Sequence, residues 1–206
     1  MAKPNKRITV FSDYICPFCY IGDLRLARLA KGVQFDIDWR FIEIHPDTPA
    51  SGMPLSDLGY PQEHWDMLMT NLQRMARQEK VVLADRQFTT NSHKALLLAE
   101  AARQLEPAAF RKLHSRLFEA YFVEEKNIGN QAVLEKLAAE SGVSEQTTKA
   151  AWSDPAFEKK LRENQNAAAM LEITGTPTFV IDEQMLSGAV PTGMLAELLV
   201  EYEGPT

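Results

Sequence analysis

Cysteine is nearly absent from this chain, occurring only at Cys16 and Cys19 among 206 residues. There is no second pair with which to build a framework of structural staples. The four histidines, His45, His64, His93 and His114, lie far apart, so a four-ligand zinc site has nothing to complete it. No apolar run approaches the roughly 20 residues that cross a bilayer, so no membrane span is expected. No basic run or aromatic–basic interleaving is present, and 28 acidic against 22 basic residues give a net charge of −6. Nucleic acid is therefore set aside as a partner. Lys3, Lys6 and Arg7 resemble the basic start of an export signal, but Ser12 and Asp13 cut the apolar stretch that follows and no small-residue cleavage site appears. A reducing, cytoplasmic setting is the expectation, where a lone C-x-x-C is catalytic more often than structural. Internal repeats and low-complexity segments are also lacking.

What is present concentrates at Cys16-Pro17-Phe18-Cys19. A strand-like run, Lys6 to Phe11, precedes it and a helical run, Tyr20 to Lys31, follows. Cys16 thus falls where a strand hands over to a helix, and the free N–H groups and dipole of the first turn favour a thiolate there. Pro17 suits that first turn. Along the helix, Ile21, Leu24, Ala27 and Leu26, Leu29, Ala30 are expected to face a core. Arg25, Arg28 and Lys31 are expected to face solvent, with Gly32 closing the C-terminus. Val33 to Phe41 then alternates apolar and polar, the period-two pattern of an edge strand with one wet face.

Residues 45–61 are rich in Pro and Gly and read as an irregular crossing. From Pro61 to about Glu172 the signals are helical, with Pro61, Pro107 and Pro155 suited to first turns and Asp154 to a cap. Phe110, Leu113, Leu117, Phe118 and Tyr121 form a stripe at helical spacing, read as core rather than cofactor box. Strand chemistry returns at Thr178–Ile181 and Met185–Ser187, and Thr192 opens a last helix. The order is β-α-β, helices, β-β-α. The expected units are a thioredoxin-like domain of residues 1–60 and 173–206 and an inserted helical subdomain of residues 61–172.

That order, with C-P-x-C at the first helix and Thr176-Pro177 opening a late strand, resembles the thioredoxin superfamily. The resemblance implies an α/β thioredoxin fold with a large inserted all-helical subdomain, as in the DsbA branch. Ser12 to Gly22, Arg40 through His45-Pro46-Asp47 to Gly52, Asn91 to Ala95, and Ile173 to Phe179 resemble FrnE-like proteins, in family order. Two departures stand out. Relatives often carry an acid six residues before the first cysteine, where this chain has Val10, and some have a second cysteine pair, absent here. Asp13 is a candidate replacement for the acid, beside its plainer reading as a turn former.

The implied activity is thiol–disulfide exchange by a Cys16/Cys19 couple on protein or small-molecule disulfides. Cys16 would be the exposed attacking thiolate and Cys19 the resolving thiol. Phe18 supplies no cation beside the sulfur, so an intermediate potential, as in glutaredoxins, is expected. The resemblance also implies that Pro177 is cis and that Thr176 leaves its N–H and C=O free for an extended substrate. Asn91 reads first as a helix cap and second as an active-site residue. His64 and His93 read as surface residues without partners. No bound cofactor is expected, with glutathione a candidate redox partner, and no pattern fixes an oligomeric state. The competing activity is that of a glutathione-dependent isomerase or transferase, like 2-hydroxychromene-2-carboxylate isomerase or the kappa-class transferases, which usually carry serine in place of Cys16.

Overall fold

The structure is a computed structural model and describes residues 6–199. Its main sheet has four strands in the order β2-β1-β5-β6, built from β1 (Lys6–Ser12), β2 (Phe35–Phe41), β5 (Thr178–Ile181) and β6 (Gln184–Ser187). β1 is central and carries Ile8, Val10 and Phe11, all essentially buried. It pairs in parallel with β2, Lys6 opposite Phe35 and Ser12 opposite Phe41, and antiparallel with β5, Phe11 opposite Thr178. A parallel pair needs a crossover, and α1 (Pro17–Leu29) supplies it. β2 is an edge strand, as its alternation implied.

Between β2 and β5 run β3 (Met53–Pro54), one 3-10 turn (Leu55–Leu58), α2 (Gln62–Glu79), β4 (Phe88–Thr89), α3 (His93–Leu105), α4 (Pro107–Phe122), α5 (Gln131–Ser141), α6 (Glu145–Ser153) and α7 (Pro155–Met170). The chain ends its described part with α8 (Thr192–Leu199). Pro107 and Pro155 open their helices, and the Asp154 carboxylate accepts the Ala156 N–H at 2.9 Å. One detail is added to the helical insert: β4 pairs with β3, Met53 opposite Thr89.

The stripe Phe110, Leu113, Leu117, Phe118 and Tyr121 is buried, and α3 is buried continuously from Ala95 to Ala102. These residues join Ile8, Val10 and Phe41 of the sheet in one continuous apolar core. The helical segment is therefore packed into the core of the sheet, and burying both together is what stabilises either.

α1 departs from its expected facing. Arg25 is buried, while Ala27 and Ala30 are exposed. The reason is a partner 54 residues away: Arg25 Nε donates to Glu79 at 2.9 Å, and Nη1 donates to the carbonyls of Ala189 and Val190. A guanidinium so satisfied tolerates burial. α1 also ends earlier than Gly32, with Ala30 as a right-handed C-cap whose N–H donates to the Leu26 carbonyl, while the Lys31 N–H donates to that of Arg28.

Candidate active site

β1 exits into a turn in which the Cys16 N–H donates to the Asp13 carbonyl at 3.2 Å. Cys16 is the extended N-cap of α1, Pro17 follows at the first helical position, and Cys19 sits one turn inside. Both cysteines are free thiols, 5% and 3% exposed. Cys16 is thus at the helix N-terminus as expected but is not an exposed thiol. The segment before β5 explains the burial, because Cys16 Sγ lies 3.3 Å from the Thr176 carbonyl oxygen and donates to it. Thr176 therefore does not leave its carbonyl free. The Thr176–Pro177 bond is cis, and the Pro177 carbonyl accepts the Gly188 N–H at 2.8 Å. Gly22 of α1 permits this approach: a Cβ there would stand 3.0 Å from Phe179 and 3.3 Å from Pro177. Pro17 and Phe18 are half-buried, Phe18 packing against the core.

The two thiols differ electrostatically. Cys16 is held below the ordinary cysteine value, chiefly by its hydrogen bond with Cys19 and against the effect of burial, with Thr176 adding to the lowering. Cys19 is pushed well above that value, first by burial and then by the sulfur of Cys16, while the Ser12 hydroxyl beside it acts the other way. At neutral pH this arrangement sets one thiolate-prone sulfur beside one protonated sulfur.

Asp13 is fully buried. Its carboxylate accepts the N–H of Ile15 at 3.2 Å and of Ile44 at 2.9 Å, so it forms the turn and also ties it to the end of β2. Burial pushes its pKa up to about 7 in spite of these donors. Val10, by contrast, is a core side chain at 1% exposure.

Asn91 does hold the start of α3, accepting the His93 N–H at 2.9 Å, although Ser92 occupies the N-cap itself. Its amide donates to Glu43 at 2.7 Å and to the Pro46 carbonyl at 3.1 Å, so its bonds serve the loop after β2. His93 is not unpartnered: its ring nitrogens lie 3.0 Å from Glu43 and 3.0 Å from Glu158. That contact joins residues 50 and 65 positions apart, which no local pattern announces. His64 is exposed and has Tyr60 for a neighbour, with ring centroids 5.9 Å apart.

The sequence reading weighed His114 only as a zinc ligand and gave it no place in the core. It lies in the core, its Nδ1 2.7 Å from the Tyr14 hydroxyl and its ring 4.1 Å from that of Trp39. Nε2 is 3.2 Å from an Asp23 carboxylate oxygen but off the line of a hydrogen bond. Its place in the α4 stripe was the available signal, yet the partners come from β1's exit, α1 and β2.

The DSBA-like thioredoxin domain family matches residues 7–200 of this chain. An uncharacterized protein of Bacillus subtilis, YwbO, is 28% identical over 183 residues, 88% of this chain and 90% of its own. The crystal structure of a probable DsbA oxidoreductase from Streptomyces coelicolor superposes with a TM-score of 0.82 at 23% identity, covering 98% of this chain and 93% of that one. A cytosolic disulfide reductase, DsbM, of Pseudomonas aeruginosa, solved with glutathione, gives 0.66 at 20% identity over 91% of both chains. No helix among the described residues is long and apolar enough to cross a membrane, and no cluster of metal-ligating side chains is found among them. The order of its elements, the C-x-x-C at the start of α1 and the match over nearly all its length agree: this chain belongs to the DSBA-like thioredoxin domain family.

Proposed function

We propose that the chain is a thiol–disulfide oxidoreductase in which Cys16 attacks disulfides and Cys19 resolves the product. The observation that carries this reading is the placement of two free thiols within one helical turn, Cys16 at the N-cap of α1 and Cys19 inside the helix, a geometry that lowers the first pKa and raises the second. Attack needs a thiolate near ambient pH, and resolution needs a second thiol held in reserve. Pro17, Phe18, Thr176 and Pro177 surround the pair, and Thr176, whose carbonyl already meets Cys16, is the element against which a substrate backbone would lie. A substrate must displace the Cys16–Thr176 hydrogen bond to align there. Substrates are protein or small-molecule disulfides, and glutathione serves as the redox partner, consistent with the glutathione-bound neighbour.

We place the activity in a reducing, cytoplasmic setting, for which the isolated cysteine pair is the support. The thioredoxin-like part, 1–60 and 173–206, supplies the chemistry, and 61–172 is the inserted helical part.

The deciding experiment is the equilibrium redox potential of the Cys16/Cys19 couple against glutathione. A reversible intramolecular disulfide with a potential between thioredoxin and isomerase values supports the reading. Absence of that disulfide, together with isomerase turnover that survives Cys16→Ser, would replace it with a glutathione-dependent isomerase, because a serine hydroxyl binds a thiolate but carries no disulfide.

A further inference from the structure

An imidazole carries two N–H groups only when protonated; neutral, it has one N–H and one lone pair. His93 presents both ring nitrogens to carboxylates at once. Nδ1 lies 3.0 Å from one Glu43 oxygen, and Nε2 lies 3.0 Å from one Glu158 oxygen. A neutral ring in this place would turn a lone pair onto one of the two carboxylates. The geometry is that of an imidazolium, and the pKa of His93 is raised above its ordinary value, chiefly by Glu43 and against the effect of partial burial. His93 is also the first residue of α3, where the helix dipole disfavours a cation, so the two glutamates are what hold the proton.

The three residues come from three elements. Glu43 follows β2, His93 opens α3, and Glu158 lies in the first turn of α7. The Glu43 side is firmly built. Its other oxygen accepts the Asn91 amide at 2.7 Å, Asn91 accepts the His93 N–H at 2.9 Å, and the Glu43 side chain is 17% exposed. The Glu158 side is looser. Its side chain is 38% exposed, its second oxygen takes Arg162 at 3.3 Å, and the α7 N-terminus favours its charge. Among the described residues, the titratable and charged groups around the ring are Glu43 after β2, with Asp13 beyond it at the Ile44 N–H, and Glu158 and Arg162 on α7. Lys94, next along α3, is turned instead to Gln131 and the Trp152 ring.

We propose that His93 is a pH-sensitive latch that fastens the start of α7 to the end of β2. This goes beyond the dithiol reading and does not depend on it. Protonated, the ring joins both glutamates and ties the helical insert to the sheet. Deprotonated, it keeps its proton on Nδ1 for the more buried Glu43 and sets the Nε2 lone pair against Glu158, which turns away to Arg162 and water. The Glu158 link is the one that opens. Farther along α7 the buried Asn164 amide donates to the Phe41 carbonyl at 3.2 Å, so the release is confined to the first turn. The sign follows from the raised pKa: the link is complete below about pH 6.5, the ordinary histidine value, and is lost as pH rises through the higher value of the folded protein.

The test is an NMR titration of the His93 ring nitrogens in the full chain, with amide exchange at the first turn of α7, for the wild type, Glu158→Gln and His93→Gln. The exchange reporters are Ala156 and Phe157, whose N–H groups donate to the Asp154 carboxylate and carbonyl. In the wild type the ring should titrate above the ordinary histidine value, and its neutral form should carry the proton on Nδ1. Exchange at both reporters, corrected for the intrinsic effect of pH, should rise through that titration by up to about fivefold, the most that an exposed ion pair is worth. Glu158→Gln should lower the titration, because an amide can donate to the Nε2 lone pair, and exchange should no longer follow it. His93→Gln should remove the step. A neutral ring protonated on Nε2, a titration that Glu158→Gln leaves in place, or wild-type exchange without a step would each overturn the proposal. The wild type and Glu158→Gln decide it even if His93→Gln fails to fold. Neither cysteine enters the latch, so the result is the same with the dithiol reduced or oxidised and fails or holds separately from the redox experiment.

Discussion

The Cys16 sulfur and the Thr176 carbonyl oxygen stand 3.3 Å apart although 160 residues separate them in the chain. The contact joins the start of α1 to the loop before β5, and it exists only because β1 and β5 are neighbours in the sheet. That loop buries the reactive sulfur and accepts its S–H, while the Thr176 side chain acts to lower the thiol's pKa, so access and reactivity are set by the same loop.

The two cysteines should behave unequally. Cys16→Ser should abolish disulfide exchange, while Cys19→Ser should accumulate stable mixed disulfides, detected by intact mass. Cys16 should also be alkylated at lower pH than Cys19, following the opposite directions of their shifts. Equal alkylation rates at neutral pH would contradict the assignment.

Asp13 should make stability fall as pH rises. Its folded pKa, about 7, lies above the ordinary carboxylate value, so the folded state binds the proton more tightly. The favourable contribution is complete below about pH 4 and is lost as pH climbs through 7. Urea unfolding at acid and at mildly alkaline pH should therefore show Asp13→Asn gaining on the wild type with pH, by up to about 4 kcal/mol. A pH-independent difference between the two proteins would refute this.

Glu79 should matter far more than its surface neighbour Arg28. The Arg25 and Glu79 side chains are 5% and 3% exposed, whereas Arg28, which also pairs with Glu79, is 51% exposed. Glu79→Ala strands a buried guanidinium and should cost about 3–5 kcal/mol. Arg28→Ala should cost under about 1 kcal/mol. Chemical denaturation separates them, and similar losses would show that the Arg25 pair is not the clamp between α1 and α2.

Gly129 should not tolerate a methyl group. A Cβ there would lie 2.3 Å from the Thr90 hydroxyl and 2.7 Å from the Ala50 carbonyl oxygen. The same carbonyl already accepts from Thr90 and Asn127, at 3.1 and 3.0 Å, so the crossing loop has little room to withdraw. Gly129→Ala should lose about 1–3 kcal/mol or more, visible as a lower Tm. Gly32→Ala, with nothing within 4 Å of its Cβ, is the control and should be nearly neutral. Equal melting temperatures for the two variants would rule out the steric argument.

Local pattern was enough to read the elements and their order. The C-x-x-C between a strand and a helix, the alternation of β2, and the 110–121 stripe are all written at spacings of two to four residues, which is the range over which backbone geometry repeats. Proline at first turns marked Pro107 and Pro155 for the same reason. The identity of the site pair Cys16/Cys19 was legible because both members sit within one helical turn.

What only the tertiary structure decided are properties that depend on partners distant in the chain. Arg25 and Arg28 look alike in the sequence, yet one is buried because Glu79 and two carbonyls near Ala189 meet it. His93 and His114 carry no local sign of the carboxylates and hydroxyl that face them. Cys16 reads as an exposed thiol until the Thr176 loop is laid over it. Asp13 reads as a turn former until β2 and α3 close around it and remove its water. Periodicity reports which face of an element is apolar; charge state and access are set by desolvation and by contacts across the fold, and those exist only once the chain has packed.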